Sequence, residues 1–274
     1  MTDTLLSPPG VRAALAELAP QIPEFIQTDL MRYILGAGAV FLIVNIGLAG
    51  PLRSRKIRAD TPGWPQIVRE IFASLRTVLV FALFGLATAF GYSMGWVRIY
   101  EDAGELGWPY FGVSVLAIIV LHDAWFYWTH RMIHHPILFR RLHRLHHRSF
   151  NPTPWTSYAF NTGEAALNAL FLPVVLTVLP VSFLGVVIFV THMMIRNAIG
   201  HCGYELFPAD RDGKPLFGWL TTVTHHDLHH SQAGWNYGLY FSWWDRWMRT
   251  ENPSYLETFA SAVSAKPVES PAKA

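Results

Sequence analysis

The sequence predicts an all-α protein. It reads as a multi-pass membrane helical bundle of about four spans, two of them a proline-containing hairpin, beneath a helical, histidine-rich cap. Three observations predict this. The chain is 51% hydrophobic and only 15% charged, with a mean hydropathy of +0.24, against roughly 25% charged residues in a soluble domain. Several runs long enough to span a bilayer carry almost no charge. All thirteen histidines lie between His122 and His230, mostly in boxes of helical spacing.

Three parts are expected along the chain: an N-terminal segment at 1–28, a membrane domain at 29–251 and a disordered tail at 252–274. The first holds Pro8, Pro9, Pro20 and Pro23 around a short apolar pattern from Val11 to Leu18. It reads as an interfacial or loose segment. No basic stretch precedes an apolar run there, so no cleaved signal peptide is expected.

Tyr33–Gly50 carries no charge and approaches the ~20 residues that cross the hydrocarbon. It ends at Pro51 and is followed by Arg53, Arg55, Lys56 and Arg58, a cluster that marks the cytoplasmic side. Ile71–Trp96 is the second span, interrupted near its start by Arg76. The short acidic turn Arg98–Glu105 then lies on the opposite side. Tyr110–Thr129 returns as the third span and delivers His130 and His134 at its cytoplasmic end. Arg131, Arg140, Arg141, Arg144 and Arg148 agree with that side. Ala165–Ile199 is too long for one straight span and short for two. With Pro173 and Pro180 near its middle, it reads as a hairpin that turns at about Pro180. Residues 203–250 form a polar, aromatic-rich cytoplasmic segment. Residues 252–274, rich in Ala, Ser, Pro and Lys, read as a disordered tail.

The boxes are His130-x3-His134, His143-x2-His146-His147 and His226-x2-His229-His230, with His201 between the second and third. Residues three and four apart share a helix face, so each box puts two or three imidazoles on one stripe. Neutral imidazole is the commonest metal ligand. A four-coordinate site uses four nitrogens, so nine candidates imply two metals with four or five ligands each. Imidazole-only ligation suits iron, zinc, copper or nickel rather than magnesium or calcium. Cys202 is the single cysteine, which excludes a thiolate cage and a disulfide framework. His135, His192 and His225 fall off the stripes. His122 shares the face of His130 but sits ~12 Å away along the helix, so it reads either as a structural residue or as one that lines the pocket or supports the ligands. Ligating histidines commonly donate their other N–H to an acceptor. Asp227, Asp123 and Glu205 are therefore expected around the ligands first and as ligands second, and Asn197 either orients a ligand or a metal-bound water or caps the end of the returning arm. Trp125, Phe126 and Trp128 at the membrane exit, with Trp235, Tyr237 and Tyr240 near the third box, line a substrate entrance or form an interfacial belt.

The run HDAWFYWTHRMIHHPILFRRLHRLHH, with HHDLHHSQAGWNYGLYFSWWDRWMRT downstream, resembles the fatty acid hydroxylase/sterol desaturase superfamily of membrane histidine-box di-iron oxygenases. The likeness covers roughly residues 110–250. It includes Asn236-Tyr237-Gly238 and Trp244-Asp245 beyond the three boxes, which adds Asn236 and Asp245 to the residues expected around the ligands. The resemblance implies metal ligation by His130, His134, His143, His146, His147, His201, His226, His229 and His230. It implies two iron ions, which zinc can replace on isolation, and O2-dependent hydroxylation or desaturation of a lipid. It also implies a four-helix membrane part beneath a cytosolic metal-binding cap, in a bacterial inner membrane or the endoplasmic reticulum. Many relatives carry His-Pro where this chain has Asn161-Thr162, which puts the pocket there in doubt. Relatives acting on sphingolipids carry a fused cytochrome b5 domain, for which this chain has no room. Its NAD(P)H-derived electrons are therefore expected from a separate cytochrome b5- or ferredoxin-type donor with its reductase; Arg140, Arg141, Arg144 and Arg148 either set topology and bind anionic headgroups or dock that donor. No nucleic-acid partner is expected. A di-zinc membrane hydrolase, a metal transporter and a metal-stapled structural protein remain the alternatives.

Overall fold

The computed structural model of the chain describes residues 10–264. Helix α1 (Val11–Leu18) continues through a 3-10 turn at Ala19–Gln21 into α2 (Ile22–Val40). A π-helical turn at Phe41–Gly47 completes one apolar rod from Val11 to Gly47. The loose or interfacial N-terminal segment is thereby corrected, since from Val11 it is continuous with the first span. Pro23 sits in the first turn of α2, where no backbone donor is lost. Asp29 and Arg32 pair three residues apart, so the two charges that shift the expected start of the span to Tyr33 neutralise each other. Residues 1–9 lie outside the described residues.

Helix α3 (Trp64–Ser93) starts seven residues ahead of the expected Ile71. Its polar residues turn inward and find partners. Gln66 donates to Glu70 Oε1 at 2.7 Å, Ser74 to the Trp155 carbonyl at 3.1 Å and Arg76 to the Phe160 carbonyl at 2.8 Å. Satisfied in this way, they do not interrupt the helix. Helix α4 (Trp108–Ile133) follows Gly107, whose φ of +83° suits glycine. Helices α6 (Thr162–Leu176) and α7 (Phe183–Gly200) form the expected hairpin around Pro180. Its tip pairs with the turn after α3: β1 (Ile99–Tyr100) lies parallel to β2 (Val181–Ser182), with Ile99 opposite Val181. Both turns therefore lie at the end of the bundle away from the histidine boxes.

Among the described residues, four helical stretches are long and apolar enough to cross a membrane: Val11–Gly47, α3, α4 and α7. Helix α6, at 15 residues, is shorter. The spans pack through Tyr33, Ala37, Val78, Met194 and Ala198 on one side of the bundle and Ile118, Phe171, Leu176 and Phe189 on the other. Their outer faces expose Leu35, Phe72, Leu83 and Val113. Exposed apolar surface on this scale requires hydrocarbon rather than water, and the chain is an integral membrane protein.

The cap comprises α5 (Pro136–Leu142), α8 (Val223–Ser231), α9 (Trp243–Trp247) and α10 (Tyr255–Val263). The last of these corrects the disordered tail expected from residue 252. Tyr255 and Phe259 are buried against Leu228 of α8, and the Tyr255 hydroxyl lies 3.1 Å from Thr222 Oγ1. Composition hid the helical spacing of Tyr255, Phe259 and Ala262. Residues 265–274 lie outside the described residues. The basic segment after the first span also serves the cap, because Arg55 donates to the Phe207 carbonyl and Arg58 to Asp227.

Candidate metal centre

The eight box histidines and His201 converge as two adjoining groups. His130, His134, His143, His147 and His229 offer five ligand atoms, and His146, His201, His226 and His230 offer four, each group within 4.8 Å. The neighbours His146 and His147 face different groups. They sit in one 3-10 turn with their rings at 84°. In the third box, His226 and His230 share one stripe of α8, while His229 faces the five-nitrogen group.

Partners fix the tautomers of at least three rings. The Nδ1 of His130 lies 2.9 Å from the Tyr237 carbonyl, that of His229 2.6 Å from the Trp235 carbonyl and that of His201 2.7 Å from the Asn197 carbonyl. Carbonyls only accept, so these Nδ1 atoms carry the proton and each Nε2 presents a bare lone pair. His143 Nδ1 lies 2.6 Å from Glu164 Oε1, and with that carboxylate ionised the same tautomer holds there. Yet His130 Nε2 and His143 Nε2 face each other at 3.0 Å. Two lone pairs at that distance repel unless a cation lies between them. The remaining spacings are 3.3 Å for His130–His134, 3.0 Å for His147–His229, 3.4 Å for His146–His201, 3.0 Å for His201–His226 and 3.2 Å for His226–His230. Metal–nitrogen bonds of about 2.1 Å place neighbouring ligand atoms roughly 3.0 to 3.4 Å apart, between octahedral and tetrahedral angles. The donor set thus fits two metal ions.

Burial, reinforced by the neighbouring imidazoles, holds His134, His143, His146, His226, His229 and His230 well below the ordinary histidine range. His147 and His201 are pushed down to about 4, burial again the main cause. All eight are neutral at pH 7, the form that ligates. A stability prediction follows for the metal-free protein. The unfolded histidines titrate near ~6.5 and the folded ones near 4 or below, so between these values the unfolded chain binds more protons. Stability therefore rises with pH. The apo protein is expected to lose stability progressively as pH falls from about 6.5 towards 4, and thermal melts across that range in detergent check it. A flat profile would contradict the buried neutral cluster.

The acids expected around the ligands act at one remove, on backbone. Asp245 accepts from the Tyr237 and Gly238 amides at 2.9 and 2.8 Å and from Thr250 Oγ1 at 2.7 Å. It thereby fixes the turn whose Tyr237 carbonyl orients His130. Asn236, at φ 60°, donates to the His225 carbonyl and accepts from the Asn252 amide. At Gly238 a Cβ would lie 2.6 Å from the Phe241 carbonyl and 2.9 Å from Asp245 Oδ2, which explains the glycine. Glu205 accepts from the Thr224 and Phe207 amides, both at 2.8 Å, and secures the start of α8. Asp227 touches no imidazole of the cluster, being held by Arg58 at 2.7 and 2.8 Å. Asn197 orients His201 through its carbonyl, while its side chain donates to the Ser157 carbonyl. Asp123 accepts from the Tyr240 and Phe241 amides and the Trp243 indole. His122 contacts the Tyr240 hydroxyl at 3.0 Å and no ligand.

Sequence reasoning missed Glu164 as a partner. It is the one carboxylate among the described residues that reaches a ligand ring, and it comes from α6, outside every box. Only its place two residues after the divergent Asn161-Thr162 pair drew attention to that stretch.

A family model for fatty acid hydroxylases matches residues 115–250, the stretch that carries every box. The chain belongs to the fatty acid hydroxylase/sterol desaturase superfamily. It is 30% identical to a Delta(7)-sterol 5(6)-desaturase of Gibberella zeae over 66% of this chain and 55% of the relative. It is also 30% identical to the lathosterol oxidase of Mus musculus over 66% of this chain and 60% of the relative. A very-long-chain aldehyde decarbonylase of Oryza sativa is 33% identical over 55% of this chain and 25% of that protein. The chain thus spans a little over half the length of the sterol-acting relatives. No solved structure matches it.

Proposed function

We propose that this superfamily member is a membrane di-iron oxygenase that hydroxylates or desaturates an unactivated C–H bond of a lipid. The observation that carries the reading is the pair of imidazole groups whose Nε2 atoms face one another at 3.0–3.4 Å. The nine predicted histidines would hold the metals, five on one and four on the other. Hydroxylation balances as R–H + O2 + 2 e⁻ + 2 H⁺ giving R–OH + H2O. Desaturation converts –CH2–CH2– to –CH=CH– with the same inputs and two waters. When bound, the irons supply reductive O2 activation, chemistry beyond the reach of side chains. The protein's part is to hold neutral imidazoles in fixed tautomers, bury them from water and bring the lipid alongside.

The named relatives include sterol desaturases and an aldehyde decarbonylase, so a Δ7-sterol is the first lipid to test, followed by long acyl chains. The test is iron content after anaerobic purification, then product formation with O2 and a reductase system. Metal-dependent product formed without O2 or reductant would favour a hydrolase and overturn the reading.

The two electrons come, on this reading, from a separate cytochrome b5- or ferredoxin-type protein. Arg140, Arg141, Arg144 and Arg148 are all exposed beside the second box, and clustered cations steer an acidic partner. Reversing two of them, as Arg140→Glu with Arg144→Glu, is expected to raise the KM for donor about tenfold at low salt, with iron content unchanged. The effect should shrink as salt screens the pair over the ~8–10 Å Debye length. A salt-independent loss would assign these arginines to folding instead. Placing the boxes on the cytoplasmic side follows from the same arginines.

A further inference from the structure

The segment between the third box and α10 descends alongside the membrane spans. Asp123 lies ten residues inside the end of α4, ~15 Å along its axis. It accepts from the Tyr240 amide at 2.8 Å, the Phe241 amide at 3.2 Å and the Trp243 indole at 3.1 Å. The Tyr240 ring packs at 4.7 Å against His192 of α7, eight residues inside the end of that helix. Residues 240–243 therefore sit two to three helical turns below the ends of two spans.

The outer side of this segment carries a chain of aromatic rings. Trp128 of α4 meets Trp244 at 5.9 Å, Trp244 meets Trp247 at 5.4 Å and Trp247 meets Trp243 at 5.9 Å. Trp243 meets Phe241 at 4.2 Å, and Phe241 meets Trp219 at 5.8 Å. Trp247 is 66% exposed, Trp219 53% and the neighbouring Leu216 55%. This surface meets the exposed face of α4 at Trp128, and the exposed Arg246 within it pairs with Glu251 and donates to the Gly218 carbonyl. Backbone at such depth must be satisfied internally, and bonds within the segment and to Asp123 supply part of this. Thr221 donates to the Tyr240 carbonyl at 3.0 Å and Ser242 to the Trp219 carbonyl at 3.0 Å, while Thr221 Oγ1 donates to the Leu239 carbonyl at 2.6 Å. A buried acid within a span is expensive and needs a reason. Asp123 has one, as the socket for these amides.

We propose that residues 216–220 and 239–247, the two stretches flanking the third box, form a wedge bedded in the lipid interface, with Leu216, Trp219 and Trp247 facing lipid. The expected cytosolic placement of the whole 203–250 segment is thereby revised, since part of the cap is monotopic. The wedge also joins the bilayer to the metal centre, because Asp245, between Trp244 and Trp247, fixes the turn that orients His130. The proposal rests on the membrane assignment alone and stands or falls apart from the oxygenase reading.

Nitroxide labels test it. Cys202 is fully buried, so single new cysteines are selectively labelled. Trp219→Cys and Trp247→Cys are compared in phosphatidylcholine–phosphatidylglycerol vesicles with two references, Val113→Cys on the lipid face of α4 and Arg211→Cys in an exposed polar loop of the cap. The wedge predicts that positions 219 and 247 resemble 113, with an O2 over nickel-chelate collision ratio several-fold above that at 211. Collision with the nickel chelate equal to that at 211 would overturn it. Protection from both reagents with spin–spin broadening would also overturn it, by assigning the face to a second copy of the chain. Leu216→Cys, whose side chain is exposed, gives the same reading if a tryptophan variant fails to fold.

Discussion

Replacing His146 with alanine is expected to remove one metal and all turnover. His146 belongs to the four-nitrogen group with His201, His226 and His230, and a site reduced to three imidazoles holds its ion far less tightly. The five-nitrogen group keeps every ligand, so iron should fall from about two per chain to about one. Turnover should fall below detection, because the proposed chemistry needs both ions and loss of even an outer partner of a ligand costs about 10- to 100-fold. His147→Ala is the informative comparison. It is the next residue in the chain, yet its nitrogen lies 3.0 Å from His229 in the other group. Adjacent substitutions should therefore empty different sites, and the iron remaining in each variant should give different Mössbauer parameters. The same residual spectrum from both variants, or full iron content in either, would break the assignment of ligands to two sites.

The nine converging histidines were legible because helical spacing is a property of sequence: i, i+3 and i+4 face one way whatever the tertiary context. The spans were legible because uncharged runs of that length have few other solutions. What escaped has physical reasons. The tautomers of His130, His229 and His201 are set by the carbonyls of Tyr237, Trp235 and Asn197, and every residue has a carbonyl, so no residue type advertises the role. The acids nearest the boxes in sequence misled for the opposite reason. Asp227, one residue after His226, is turned ~100° around α8 from it and meets Arg58. The paired charges Asp29 and Arg32, and the inward Glu70, moved span starts because a charge that finds its partner inside the bundle no longer ends a helix. Tyr255–Val263 escaped because composition outweighed a short apolar spacing.

Glu164 carries the second large expectation, one in which stability and metal binding move in opposite directions. Its carboxylate is buried and lies 2.6 Å from His143 Nδ1. Ionised, it would hold a proton on Nδ1, leave Nε2 free for a metal and offset part of the charge that cations would bring. Glu164→Gln keeps an oxygen acceptor but loses the charge; Glu164→Leu loses both. Metal affinity is expected to fall in the order wild type, Gln, Leu, with the leucine variant about 10- to 100-fold weaker, as read by competition with a chelator of known strength. Without metal the order should reverse, because a buried carboxylate facing a neutral imidazole is costly and an apolar residue of similar size removes that cost. The apo leucine variant should therefore melt above apo wild type, while the metal-loaded variant melts below its counterpart. If both forms shift the same way, Glu164 is a packing residue and the proton on His143 is held by something else.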